Sequence, residues 1–164
     1  MNPIQLKALI QKVLLGMNKY SSEAVELLML TAAQESHCGE YITQIGGGPA
    51  LGIFQMEPAT MRDIFDNYLN YRKPLKQSVE MFSSGSDLDL EGNILFQIAL
   101  ARVHYLRVPE AIPKRQDFQG SDAGFDLYVF AMARYWKKYW NTDKGKGTVR
   151  EAFDNYNRYY LGGV

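Results

Sequence analysis

From Ala24 to Ala33 the chain offers almost no polar face. Ala24, Val25, Leu27, Leu28, Met29, Leu30, Ala32 and Ala33 leave only Glu26 and Thr31 between them. A helix that is apolar on every side is a buried helix, so this segment is expected to run through the core. Ser21 and Ser22 can cap its start, and Glu23 sits where a carboxylate suits the helix dipole. Leu28, Thr31 and Glu35 fall on one side at i, i+3, i+7 spacing. Glu35 therefore projects from the end of a core helix. A carboxyl in such a place has its ionised form disfavoured and its pKa raised, which is what a general acid working near neutral pH requires. The same local sequence also fits a solvated carboxylate near a helix C-terminus, with Ser36 and Gly39 ending the helix.

The run Gly46-Gly47-Gly48-Pro49-Ala50-Leu51-Gly52 excludes helix and central strand, because glycines permit positive φ and close backbone approach. It lacks the Gly-Lys-Ser/Thr ending of a P-loop. It also lacks the preceding strand and internal helix start of a dinucleotide fingerprint. Glu57-Pro58 reads as a helix start with proline in the first helical position. That helix continues through Met61, Ile64, Phe65, Tyr68 and Leu69 to about Tyr71. Gln55, in the turn before it, either satisfies local backbone or hydrogen-bonds a ligand.

The rest of the pattern is helical. Helices are expected over Ile4 to Met17, Pro74 to Phe82, about Leu90 to Arg107, and Phe125 to Trp140. The core face of the Leu90 helix is Ile94, Leu95, Ile98, Ala101 and Tyr105. Thr148-x-x-Glu151 is a capping box for a last helix that stops before Gly162-Gly163. Only Tyr41 to Phe54 leaves room for strands, as a small hairpin. Residues 1 to 164 thus form one mainly α domain, with no repeat and no separating linker. Aromatics are 13% of residues and gather in the C-terminal third. A helical aromatic stripe is chiefly core, with a minority free to line a cleft. Lys137 and Lys138 are expected to be solvated.

Composition narrows the function. A formal net charge of zero argues against non-specific attraction to nucleic acid. One cysteine, Cys38, allows no internal disulfide, and two histidines with one cysteine are too few for a structural zinc site. Ile4 to Met17 is interrupted by Gln5, Lys7, Gln11 and Lys12, unlike a secretory signal peptide. Leu27 to Ala33 is far too short to span a bilayer.

Glu35-Ser36 followed by Gly52-Ile53-Phe54-Gln55-Met56-Glu57-Pro58-Ala59-Thr60 resembles the active-site segments of lytic transglycosylases and goose-type lysozymes. There a Glu-Ser pair supplies the acid, and a Gly-aliphatic-x-Gln-x-x-Pro-x-Thr segment builds one cleft wall. Asn93-Ile94, with Tyr105-Leu106 at the far end, is similar to their Asn-Ile pair opening a long helix. The family's Tyr-Asn-Ala-Gly segment is blurred. Ala131-Met132-Ala133-Arg134-Tyr135-Trp136 lacks the Asn and Gly, and Tyr139-Trp140-Asn141-Thr142 offers another tyrosine, so Tyr135 and Tyr139 both stand as candidates for the cleft tyrosine. The resemblance covers roughly residues 20 to 142. The segment from Tyr139 to Thr148 also resembles tailed-phage proteins that carry such a domain.

The resemblance implies a lysozyme-like fold, a helical bundle with a small β-hairpin or loop lining the cleft. It implies an enzyme that cuts the bond between N-acetylmuramic acid and N-acetylglucosamine in peptidoglycan, with Glu35 catalytic and Ser36, Gln55, Met56, Asn93 and Tyr135 or Tyr139 contacting substrate. It implies no metal or cofactor, no nucleic-acid or membrane partner, and a monomer. In a transglycosylase Glu35 acts first as acid and then as base, and a 1,6-anhydro ring forms without water. Glu57 is a departure from that family, because goose-type lysozymes carry an acidic residue there. An inverting hydrolase needs such a second carboxylate about 6.5–9.5 Å from the acid, so lyase and hydrolase stand level, with Glu57 either a base or a first-turn acid favouring the dipole. Without an export signal, an enzyme of this kind is expected to be made in a host cytoplasm and to reach the wall through lysis or inside a particle, as a bacteriophage product. An inactive virion protein and a chitin-directed hydrolase are the alternatives.

Overall fold

A computed structural model describes residues 1–120, 122–142 and 145–163. Eight α-helices appear in it: α1 (Pro3–Gly16), α2 (Ser22–Ser36), α3 (Pro58–Asn67), α4 (Lys73–Glu80), α5 (Asp87–Gly92), α6 (Ile94–Leu106), α7 (Gly124–Trp136) and α8 (Val149–Tyr159). α2 is the axis. It carries the apolar run anticipated above, buries Ala24, Val25 and everything from Leu27 to Ala33, and packs on α1, α6, α7 and α8. The short helices α3, α4 and α5 gather on α6 as a smaller second group. No helix among the described residues is long and apolar enough to cross a membrane.

Local chemistry sets most boundaries. Ser21 accepts from the Ala24 amide at 3.0 Å and starts α2. Thr148 and Glu151 complete the reciprocal cap of α8, at 3.1 and 2.7 Å. Pro58 opens α3 from its first turn. The helix expected over Leu90 to Arg107 is instead two, because Asn93 adopts an extended backbone (φ −96°, ψ 93°) and its side chain caps α6, accepting from the Phe96 amide at 3.1 Å. An Asn is a strong N-cap, and that property overrides the continuous hydrophobic pattern. α6 also buries more than the predicted face: Phe96, Ala99, Leu100 and Val103 are enclosed as well, whereas Ile94 and Leu95 are only partly so. α3 is followed by a separate single turn at Leu69–Tyr71, and α7 widens at its end into a π-helical turn, Lys137–Asn141.

The segment from Tyr41 to Phe54 contains isolated antiparallel pairs, Thr43 with Leu51 and Leu51 with Met56, and no extended strand among the described residues. Left-handed backbone at Gly46, Gly47 and Gly52 keeps the chain turning and prevents a ladder from propagating. This coil is nevertheless fixed. Ser36, fully buried at the end of α2, donates to the Ile53 carbonyl at 2.5 Å. Gln97 of α6, also buried, accepts from the Ile53 amide at 2.8 Å and donates to the Glu91 carbonyl at 2.9 Å. Gly52 completes the joint. Its φ is +74°, and a Cβ there would lie 2.5 Å from the Leu90 carbonyl oxygen and 2.6 Å from the Gln97 side-chain carbon.

Gly52→Ala should therefore combine left-handed strain with a backbone clash and lower stability by about 2–4 kcal/mol. Chemical denaturation measures this; a midpoint equal to that of the unaltered protein would show that the joint yields freely.

Candidate active site

A cleft of about 600 Å³ lies between the coil and the C-terminal helices. Gln44, Ile45, Ala50, Gln55, Met56, Glu57 and Thr60 form one side, and His104, Trp140, Asn141 and Gly145 to Gly147 the other. Gln34, Glu35 and Tyr41, from the end of α2 and just beyond it, also line it.

Glu35 keeps some accessible surface on the cleft but is otherwise densely surrounded. Burial raises its pKa to about 7, against a partial lowering by the indole N–H of Trp136, which donates to its Oε1 at 2.9 Å. Trp136 itself is wholly buried. Among the described residues the carboxyl is held by one neutral donor and makes no salt bridge, and it keeps its proton to near neutrality.

The C-terminal side of the cleft depends on the end of α7. The π-helical turn places Trp140 and Asn141 on the cleft, and such widened turns recur at functional sites. His104 holds the turn. Its Nε2 lies 2.8 Å from the Tyr139 carbonyl and its Nδ1 3.0 Å from an Arg107 nitrogen, and Arg107 in turn meets Asp63 at 2.6 Å. These partners require a neutral imidazole that donates from Nε2 and accepts at Nδ1. Burial, with Arg107 adding to it, lowers its pKa to about 4, against the opposing Tyr139 carbonyl. His104 lines the cleft but is a neutral imidazole at neutral pH, its one N–H committed to the Tyr139 carbonyl, and so is not the acid. Lys137, expected to be solvated, instead donates to Asn141 Oδ1 at 2.7 Å and to the Gly145 carbonyl at 2.8 Å, fastening the loop beyond the turn. Gly147 packs so closely that an added Cβ would lie 2.8 Å from the Trp136 ring.

The structure brings Glu35, Gln55, Met56 and Glu57 to one cleft. Gln55 stands in left-handed conformation (φ 47°) with its amide nitrogen donating to the Gly52 carbonyl at 2.8 Å. Met56 is buried at the wall. Glu57 is exposed, precedes α3 with no side-chain cap bond, and shares the cleft with Glu35. The other expected contacts lie elsewhere. Ser36 is the buried pin described above. Asn93 caps α6 and donates to the Phe82 carbonyl at 2.9 Å, away from the cleft lining. Tyr135 is buried and donates to the Glu110 carbonyl at 2.8 Å, and Tyr139 bonds the Glu110 carboxylate. Neither candidate tyrosine lines the cleft; Tyr41 and Trp140 do. Trp136 was legible only as core. The available signal was its indole N–H, which requires a partner when buried.

Compared with family models, with curated proteins and with solved structures, the chain matches none.

A raised carboxyl pKa has a stability consequence of definite sign. Below about pH 4.5, the ordinary value of a glutamate, Glu35 is protonated in folded and unfolded chains alike. As pH rises from there to about 7, the unfolded chain ionises more readily, so the folded state loses stability across that window and stays lower above it. Glu35→Gln should therefore be more stable than the unaltered protein at pH 8, with the difference vanishing at pH 4. Thermal melts at both values check this; equal melting temperatures at pH 8 would contradict it.

Proposed function

We propose that the protein is a glycosidase of the lysozyme-like kind that cleaves peptidoglycan strands between N-acetylmuramic acid and N-acetylglucosamine. The observation that carries the reading is Glu35, a carboxyl protonated near neutrality that lines the cleft. The Glu35-Ser36 and Gly52 to Thr60 segments, similar to those of lytic transglycosylases, support it. Their spacing in sequence becomes contact in the fold, through Ser36 and Ile53.

In this mechanism Glu35 gives its proton to the glycosidic oxygen as the bond to the sugar carbon breaks, leaving an oxocarbenium-like centre. The carboxylate so formed keeps the Trp136 N–H. In the lyase reaction it then accepts the proton of the muramyl C6 hydroxyl, whose oxygen closes the anhydro ring. His104, neutral and occupied at both nitrogens, leaves Glu35 as the acid. The aromatic faces of Tyr41 and Trp140 suit sugar rings. Gln55 offers polar contact at the opposite wall. No cofactor enters this chemistry. The mainly helical scaffold, with a coil in place of a hairpin at the cleft, suits a lysozyme-like architecture. A bacteriophage lysin, free or carried in the particle, is the setting that fits the resemblance.

A second reading, inverting hydrolysis with Glu57 as base, is favoured by one observation: Glu57 lines the same cleft as Glu35. Its exposed position, with no side-chain hydrogen bond among the described residues to hold it, suits the lyase.

Glu35→Gln should fold and lose peptidoglycan cleavage by several orders of magnitude; a folded variant that retained activity would remove the proposed acid. Mass analysis of the released muropeptides separates the two reactions. Anhydro ends with little effect of Glu57→Gln indicate the lyase. Reducing ends with a loss of about 10²-fold or more in Glu57→Gln indicate the hydrolase.

A further inference from the structure

Tyr41 lies on the cleft, where it was not anticipated, and is the tyrosine that lines it beside Glu35. Tyr68, Tyr105, Tyr135, Tyr139, Tyr156 and Tyr160 each place the hydroxyl on a protein group. The half-buried Tyr41 places its hydroxyl on none among the described residues, and lines the cleft with Glu35. The two are close enough for the charge of Glu35 to add to burial in raising the phenol pKa, so Tyr41 stays a neutral donor. A half-buried polar group without a protein partner is completed by water or by a ligand.

The ring is also braced. His37 meets Tyr41 edge-on, with centroids 5.5 Å apart and planes at 81°, and stacks face to face on Tyr159 at 4.0 Å and 7°. Its Nδ1 lies 3.4 Å from Glu40. A short aromatic column therefore runs from the end of α8 to the cleft. His37 and Cys38 are both left-handed (φ 53° and 58°), although neither is glycine. This unusual turn brings the chain from α2 back beside Glu35, and left-handed non-glycine residues concentrate where function fixes the backbone.

We infer that Tyr41 is a substrate-binding residue whose hydroxyl hydrogen-bonds a polar substituent, hydroxyl or acetamido, of the amino sugar lying against Glu35. His37 is the positioning residue that sets its ring. This rests on the glycosidase reading.

Tyr41→Phe removes the hydroxyl and keeps the ring, so it should melt as the unaltered protein does. It should also lower kcat/KM on soluble peptidoglycan glycan strands by about tenfold, the worth of a neutral hydrogen bond. His37→Asn keeps a residue that tolerates the left-handed turn but removes the stack. Its kcat/KM should fall in the same direction, and His37→Phe, which keeps the stack, should restore most of it. The same glycan strands, titrated by calorimetry onto Glu35→Gln with and without Tyr41→Phe, read binding without turnover; the double variant should bind several-fold more weakly. An active wild type with an equally active Tyr41→Phe and equal binding would overturn the role of Tyr41 while leaving the glycosidase reading intact. A His37→Asn variant with wild-type kcat/KM would overturn the positioning role. A wild type that neither cuts nor binds these strands would overturn the glycosidase reading and this inference with it.

Discussion

The hydrogen bond from the Trp136 indole to Glu35 ties together the parts of this molecule that matter for chemistry. It joins the end of the buried axial helix α2 to the end of the aromatic helix α7. It is a neutral donor's bond, too weak to cancel the desolvation of the carboxyl, so the proton is retained to about pH 7. An arginine or lysine in the same place would hold the group ionised and remove its use as an acid. The weakness of the bond is therefore as important as its presence. Trp136 in turn is fixed by the loop that Gly147 lets approach its ring and that Lys137 fastens through Gly145.

The facing wall is mostly coil before the start of α3 and needs another source of rigidity. It comes from Ile53, whose carbonyl is taken by Ser36 of α2 and whose amide is taken by Gln97 of α6. Two buried side chains thus anchor one peptide-bearing residue from both sides, with Gly52 allowing the close approach. Such fully paired polar groups in a core specify one arrangement of a segment that sheet or helix bonds do not define. The cleft consequently has two walls built differently: a coil pinned at its base, and a π-helical turn held by the neutral imidazole of His104.

Much of the scaffold could be read from the chain, for local reasons. The all-round apolar run of α2, the Ser21 cap and the Thr148–Glu151 box are signals carried within a few residues, and the helices follow them. The position of Glu35 followed from the same run. Other features were illegible because they depend on partners distant in sequence. Gln97 showed nothing in its own helix to mark it as a pin, since its partner lies 44 residues away. His104 gave no sign that Arg107 and the Tyr139 carbonyl would occupy its ring. Trp136 lies 101 residues from Glu35, and only the need of a buried indole for an acceptor hinted at the contact. Asn93 was visible, but its place as the cap of α6 was not, because an asparagine that caps a helix and one that binds a sugar look alike until the backbone is known. Tyr135 and Tyr139 were drawn from motif position, and both turn to Glu110, which does not line the cleft.

The most direct measurement is the titration of Glu35 itself, followed through its carboxyl carbon by NMR on protein labelled at glutamate and assigned by comparison with Glu35→Gln. A single titration with a midpoint near pH 7 is expected, moving higher still in Trp136→Phe as the lowering hydrogen bond is lost. A midpoint near 4.5, the ordinary value for a glutamate, would mean that the carboxyl is ionised and solvated in the folded protein, and would contradict its role as the acid.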